Sequence, residues 1–278
     1  MTVILNHDIR SVNGKTIVMP AWKGGQTGWG NFALPNPYEF DSAAKYPIGT
    51  KFIDDDRVYR YCYSTAGITR GRAGAAYGAF AVGGGTTQES ATIAAAAVVG
   101  DTTITHTVAG TTVVANEFAG GYVICSGAAK SIYRIVEHTA AASGSTITIT
   151  LDRALITDIG GTENIQLIKD PYAEVRGLSG GTDQGWGAFV AVPAHTVAAT
   201  RYFWGQTWGP ASVALVDNYG ESINEHAMFF NIDGTVMKGQ ATSYQFQYAG
   251  FLLPYTGPGP AGTDMAGAWG CIFLQIAP

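Results

Sequence analysis

Ser179 is the first residue with a catalytic reading, because Gly177-Leu178-Ser179-Gly180-Gly181 resembles the glycine-framed serine of a protease nucleophile loop. Such a serine works only with a histidine base and a buried aspartate placed by the fold. Leu178 stands where that motif has its aspartate, and no Ala-Ala-His-Cys-like segment lies upstream. A glycine-rich linker is the simpler reading. The five histidines, His7, His106, His138, His195 and His226, include no i,i+4 pair and no His-Glu-x-x-His. Asn224-Glu225-His226 with Asp233 offers too few ligands for a metal centre. His106, among threonines on a strand-like run, is expected to face solvent. Asp54-Asp55-Asp56 lacks the alternating spacing of a calcium loop and suits a turn. No phosphate-binding Gly-x-x-x-x-Gly-Lys-Ser/Thr loop occurs, and Gly83-Gly84-Gly85 lacks the lysine. Glycoside hydrolysis needs two placed carboxylates, and nothing singles out a pair. Trp186, Trp204 and Trp208 could stack on sugar rings, but strand aromatics more often fill a core. The chain is therefore expected not to be an enzyme, with Ser179 and His195 dispensable, no metal and no cofactor.

Composition narrows the partners. Charged residues make up 13% of the 278, about half the usual ~25%, while aromatics reach 12%. Disorder is excluded for most of the chain, since it requires many charges and few aromatics. A net charge of −5 leaves no basic stripe to track phosphates, so nucleic acid is not an expected partner. No run of about 18 apolar residues exists to span a bilayer, so a membrane is not expected either. Cys62, Cys125 and Cys271 are odd in number and far apart, which suits three buried thiols rather than a zinc site or disulfide frame. The opening Met-Thr-Val-Ile-Leu-Asn-His lacks a secretory pattern, and synthesis in the cytoplasm is the expectation.

The elements that must position these residues read mainly as β. Residues 1–46 are punctuated by Gly24-Gly25, Gly28, Gly30, Pro35 and Pro37, with Trp22, Trp29, Phe32, Tyr38, Phe40 and Tyr46 scattered between them. That pattern predicts an extended arm, whose aromatics must be buried on the chain's own body or on a neighbour. Residues 48–63 predict a hairpin around the aspartates, with Tyr59, Tyr61 and Tyr63 on one face. Ala73 to Ala81 offer the best helix, weakened by Gly74 and Gly78, and residues 88–99 suit a helix or a strand equally. From residue 98 short strands follow closely. Thr146–Leu151 is the cleanest, with Ile147, Ile149 and Leu151 on one face. Tyr202–Pro210 and Val213–Val216 predict a strand pair. The expected fold is a base domain of antiparallel strands with an extended N-terminal arm, plus an inserted small β-barrel or sandwich. The corresponding segments are an arm at 1–46, a base at 47–97 and 177–278, and an inserted domain at 98–176.

Three groups of residues carry a resemblance. They are Pro47-Ile48-Gly49-Thr50-Lys51-Phe52 with Arg57-Val58-Tyr59-Arg60-Tyr61; Ala119-Gly120-Gly121-Tyr122 with Tyr133-Arg134-Ile135 and Thr148–Leu155; and Tyr202-Phe203-Trp204-Gly205-Gln206-Thr207-Trp208-Gly209-Pro210-Ala211. This succession, over most of residues 47–215, resembles virion structural proteins of tailed bacteriophages, in particular capsid decoration or cement proteins. The resemblance implies a location on the capsid surface, the major capsid protein as partner and function through surfaces, so no site residue carries over. A homo-oligomer is expected, with a trimer matching the three-fold positions of a shell. Trp22, Trp29, Phe32, Tyr38, Phe40 and Tyr46 are the candidate interface. Two other readings stay open: a receptor-binding or fibre-type protein that recognises a host surface glycan, and a secreted or lysis-type hydrolase.

Overall fold

The computed structural model describes residues 8–20, 34–76, 88–110, 112–125, 130–178, 187–216, 226–239, 246–253 and 269–278. Among them the chain is all strand, without a helix. Of the expected helix at 73–81, Ala73 is irregular, Gly74–Ala76 is a strand and residues 77–81 lie outside the described residues. The contacts divide into two units. The described residues of Gly78–Pro171, with Asp8, Met19 and Pro20, form one, and those of Ala33–Tyr77 and Tyr172–Pro278, together with Ile9–Val18, form the other.

The larger unit begins with a hairpin where the sequence suggested an arm. β1 (Asp8–Val12) and β2 (Lys15–Met19) are neighbours joined by Asn13-Gly14, both at positive φ. Asn-Gly is the strongest two-residue hairpin signal, because both central residues must enter the left-handed region. β2 pairs β4 (Lys51–Asp54) and buries Ile17 and Met19. The arm expected over 1–46 is thus corrected for residues 8–19: they are sheet. β3 (Phe40–Asp41) is a two-residue strand, and β4 turns through Asp55-Asp56 into β5 (Arg57–Ser64), as the aspartate-rich turn predicts. The Asp54 carboxylate lies 3.2 Å from Arg57 and 3.3 Å from Lys15, so its charge is met by side chains.

A ring of five strands closes in this unit. It runs β5, β13 (Val175–Arg176), β6 (Gly74–Ala76), β14 (Phe189–Pro193) and β15 (Arg201–Ala214), and back to β5. One contact, Val175 with Ser64, is parallel; the others in the ring are antiparallel. Closure removes the unpaired edges that make open sheets prone to association. β15 is one strand of 14 residues, not the expected pair. β5 takes one of its edges. The other edge is shared in turn by β3 at Tyr202–Phe203, β14 at Gly205–Gln206 and β19 (Trp269–Gln275) from Trp208 onward. The strand survives its Gly209-Pro210 because Gly209 adopts φ +88° just past the register shift between Gln206 and Trp208, and a Cβ there would lie 2.2 Å from the Asp56 carbonyl oxygen. The sheet continues through β18 (Tyr248–Leu252), β16 (Ala227–Phe230) and β17 (Val236–Lys238).

Alternation along β5 and β15 sends two layers to opposite faces. Cys62 opposes Phe203 and packs with Ile68, Val175, Ala191 and Val197. Tyr61 opposes Trp204 in an aromatic layer with Tyr46 and Phe52, ring centroids 5.0–5.6 Å apart around Trp204. Edge-to-face rings at such spacing contribute about 0.5–1.5 kcal/mol per pair beyond their burial.

The smaller unit is a curled six-stranded sheet, in order β7 (Gln88–Thr92), β12 (Asn164–Ile168), β9 (Tyr122–Cys125), β10 (Ser131–His138), β11 (Thr146–Leu151) and β8 (Thr103–Thr107). Its two ends meet where Ile93 bridges His106. The sheet thus starts before the expected boundary at 98, and residues 88–92 are strand rather than helix. Inward positions of every strand from β8 to β12 fill one core, with Ile104, Val123, Ile135, Ile147, Ile149 and Leu167. His106 is fully buried, not solvent-facing as expected. Parity explains the correction: Ile104 and His106 are two apart and share a face, while the threonines take the other.

Candidate functional site: an aromatic surface segment

Residues 34–50 cross the surface of the larger unit with little regular structure and are fixed by side chains. Asn36 starts a turn, its side-chain oxygen accepting the Tyr38 N–H at 3.1 Å and its carbonyl the Glu39 N–H at 3.2 Å. β3 then pairs Phe40 and Asp41 with β15. The far end is anchored through Tyr61, whose hydroxyl donates to Asp41 at 2.8 Å and accepts the Lys45 backbone N–H at 3.2 Å. Lys45 also pairs with the Asp41 carboxylate. Burial, reinforced by Asp41, pushes the Tyr61 hydroxyl far above its ordinary range, so it stays a donor at any physiological pH.

The six expected interface residues separate here. Tyr38 is 62% exposed and Phe40 48%. Tyr46 is 6% exposed, its ring 5.2 Å from Tyr61 and 5.1 Å from Trp204. It is a core anchor and is withdrawn from the candidate surface. Trp22, Trp29 and Phe32 lie outside the described residues. Leu34, at the start of the segment, is also exposed. Sequence reasoning missed two flanking groups. His195 stacks on Phe40 at 5.7 Å, and the Arg201 guanidinium lies 5.9 Å from the same ring. No spacing links them to Phe40 in the sequence; only the β3–β15 pairing brings Arg201 and Phe40 together.

The chemical candidates are placed as follows. Ser179, Trp186, Asn224 and Glu225 lie outside the described residues. Trp204 is buried in the aromatic layer, and Trp208 packs edge-on to Phe273 at 5.7 Å. Asp233 pairs with Arg72 at 2.9 Å. Among the described residues no group of three His, Cys, Asp or Glu could hold a metal ion, and Cys62, Cys125 and Cys271 are free thiols, the first two buried. No helix of the described residues is long and apolar enough to cross a membrane. Comparison of the chain with protein-family models, curated proteins and solved structures finds no match.

Proposed function

We propose that the protein is a structural component of a tailed-bacteriophage virion, which binds the assembled capsid as a decoration protein and acts without catalysis. The observation that carries this reading is the pinned segment 34–46, which holds Tyr38 and Phe40 outward while Tyr46 is locked in the core. Exposed aromatics on a pre-organised segment make an efficient contact, because little side-chain freedom remains to be lost on binding. An all-strand body of low charge suits a molecule that works by covering surface. The major capsid protein is the partner that the resemblance supplies, and a homo-oligomer on the shell remains part of the proposal.

The test is co-sedimentation of the full chain with capsids of the phage that encodes it. Saturable, stoichiometric binding is expected. The double variant Tyr38→Ala/Phe40→Ala should bind roughly thirtyfold more weakly, as two anchors of about 1 kcal/mol each imply. A full-length chain that stays in the supernatant at saturating concentration overturns the reading.

A further inference from the structure

We propose that a cleft on the larger unit binds the carboxylated sugar units of an acidic polysaccharide of the uronic-acid type. The cleft has a volume of about 380 Å³, toward the lower end of the range for small-ligand pockets, about 300–1,000 Å³. Among the described residues its lining includes Arg57 and Arg70 and no Asp or Glu, in a chain whose net charge is −5. The two guanidiniums are not equivalent. Arg57 is met by Asp54 at 3.2 Å. Arg70 lies over the Trp269 ring at 4.2 Å, and among the described residues no carboxylate pairs with it.

Stacking on Trp269 gives Arg70 its role. An indole face holds the planar guanidinium by cation–π attraction while leaving its in-plane N–H groups free to donate. The backbone is held too, since the Arg70 N–H donates to the Thr196 hydroxyl at 3.3 Å. A pre-organised fork of this kind matches the two oxygens of a carboxylate. The rest of the lining suits a pyranose. Gln206 donates its amide N–H groups to the carbonyls of Trp208 at 3.0 Å and Pro210 at 2.8 Å, which leaves its oxygen to accept from a ligand hydroxyl. Ser212 is exposed on β15, and Tyr38 offers an exposed ring for the apolar face of a sugar. Hydroxyl-sized polar groups, an aromatic plate and one guanidinium that meets no carboxylate among the described residues match an acidic sugar better than a simple anion or a neutral sugar.

The test is calorimetric titration of the full chain with oligogalacturonate and oligoglucuronate tetrasaccharides. Their methyl esters, acetate and inorganic phosphate serve as comparisons. Binding of at least one acid tetrasaccharide is expected, weakened roughly tenfold or more by esterification and by Arg70→Gln, and weakened by added salt. Ser212→Trp, which fills the cleft from an exposed position, should abolish binding with an unchanged melting temperature. It keeps the test decisive if Arg70→Gln fails to fold. The proposal is overturned if neither acid tetrasaccharide binds, if the esters bind equally, if acetate or phosphate competes as well as the sugars, or if Ser212→Trp binds normally. None of these outcomes bears on co-sedimentation with capsids, so the two proposals fail separately.

Discussion

The Tyr61 hydroxyl donates to the Asp41 carboxylate at 2.8 Å, tying a central barrel strand to a surface segment that precedes it by 20 residues. The same oxygen accepts the Lys45 N–H, so a single hydroxyl holds both ends of the turn from Asp41 to Lys45 that directly follows Phe40. Tyr61→Phe leaves the ring packing with Trp204 and removes both bonds. The expected cost is about 1–3 kcal/mol, since a part-buried carboxylate and an amide lose their partner. Urea denaturation should show a lower midpoint with an unchanged slope. Limited proteolysis should cut the variant first between residues 34 and 46.

Acid should destabilise the protein through His138. Its Nε2 accepts the Phe118 N–H at 2.9 Å and its Nδ1–H donates to the Thr139 carbonyl at 2.8 Å, which fixes the neutral ring. Burial lowers its pKa from the ordinary 6.5, against smaller opposite effects of the Thr139 bond and Glu117. His195 is lowered in the same way, burial outweighing Pro37 and Glu39. Below about pH 6.5 the unfolded chain therefore binds more protons than the folded one. The contribution of these rings is complete above pH 6.5 and is lost as the pH falls through their folded values. Histidine ring resonances followed by NMR should titrate below 6.5. Midpoints at or above 6.5 for both rings would refute this.

Two glycines at positive φ should differ in how much they tolerate a side chain. Gly14 has φ +77° with nothing within 4 Å of a Cβ, so Gly14→Ala meets backbone strain alone, about 1 kcal/mol. Gly209 adds to its φ of +88° a backbone oxygen 2.2 Å from that Cβ, in the middle of β15. Gly209→Ala should cost more than about 3 kcal/mol or prevent folding. Thermal melting of the two variants side by side checks the order, and equal losses would contradict the geometry.

The smaller unit should fold alone. Its core is drawn from its own strands, and Ile93 and His106 join the ends of its sheet. A chain of residues 78–171 is expected to melt in one cooperative step. Broad, dye-binding behaviour without a transition would show that it depends on the rest of the protein.

Much of this was legible in the sequence. Ile147, Ile149 and Leu151 announce a half-buried strand, because a period of two is a local property that sheet packing leaves intact. Asp54–Asp56 announces its turn for an equally local reason. The Asn13-Gly14 hairpin was also written there, hidden by the glycines and prolines that follow it. Other features are decided only by the tertiary structure. Tyr46 reads like Tyr38 and Phe40, yet it is core, because the 5.1 Å approach of Trp204 comes from a strand remote in sequence. The unity of β15 depends on four partner strands that share its edges. The cleft depends on Arg70 meeting Trp269 across most of the chain. Alternation and turn chemistry act between neighbours and can be read in order, whereas ring closure and stacking pair residues by position in space.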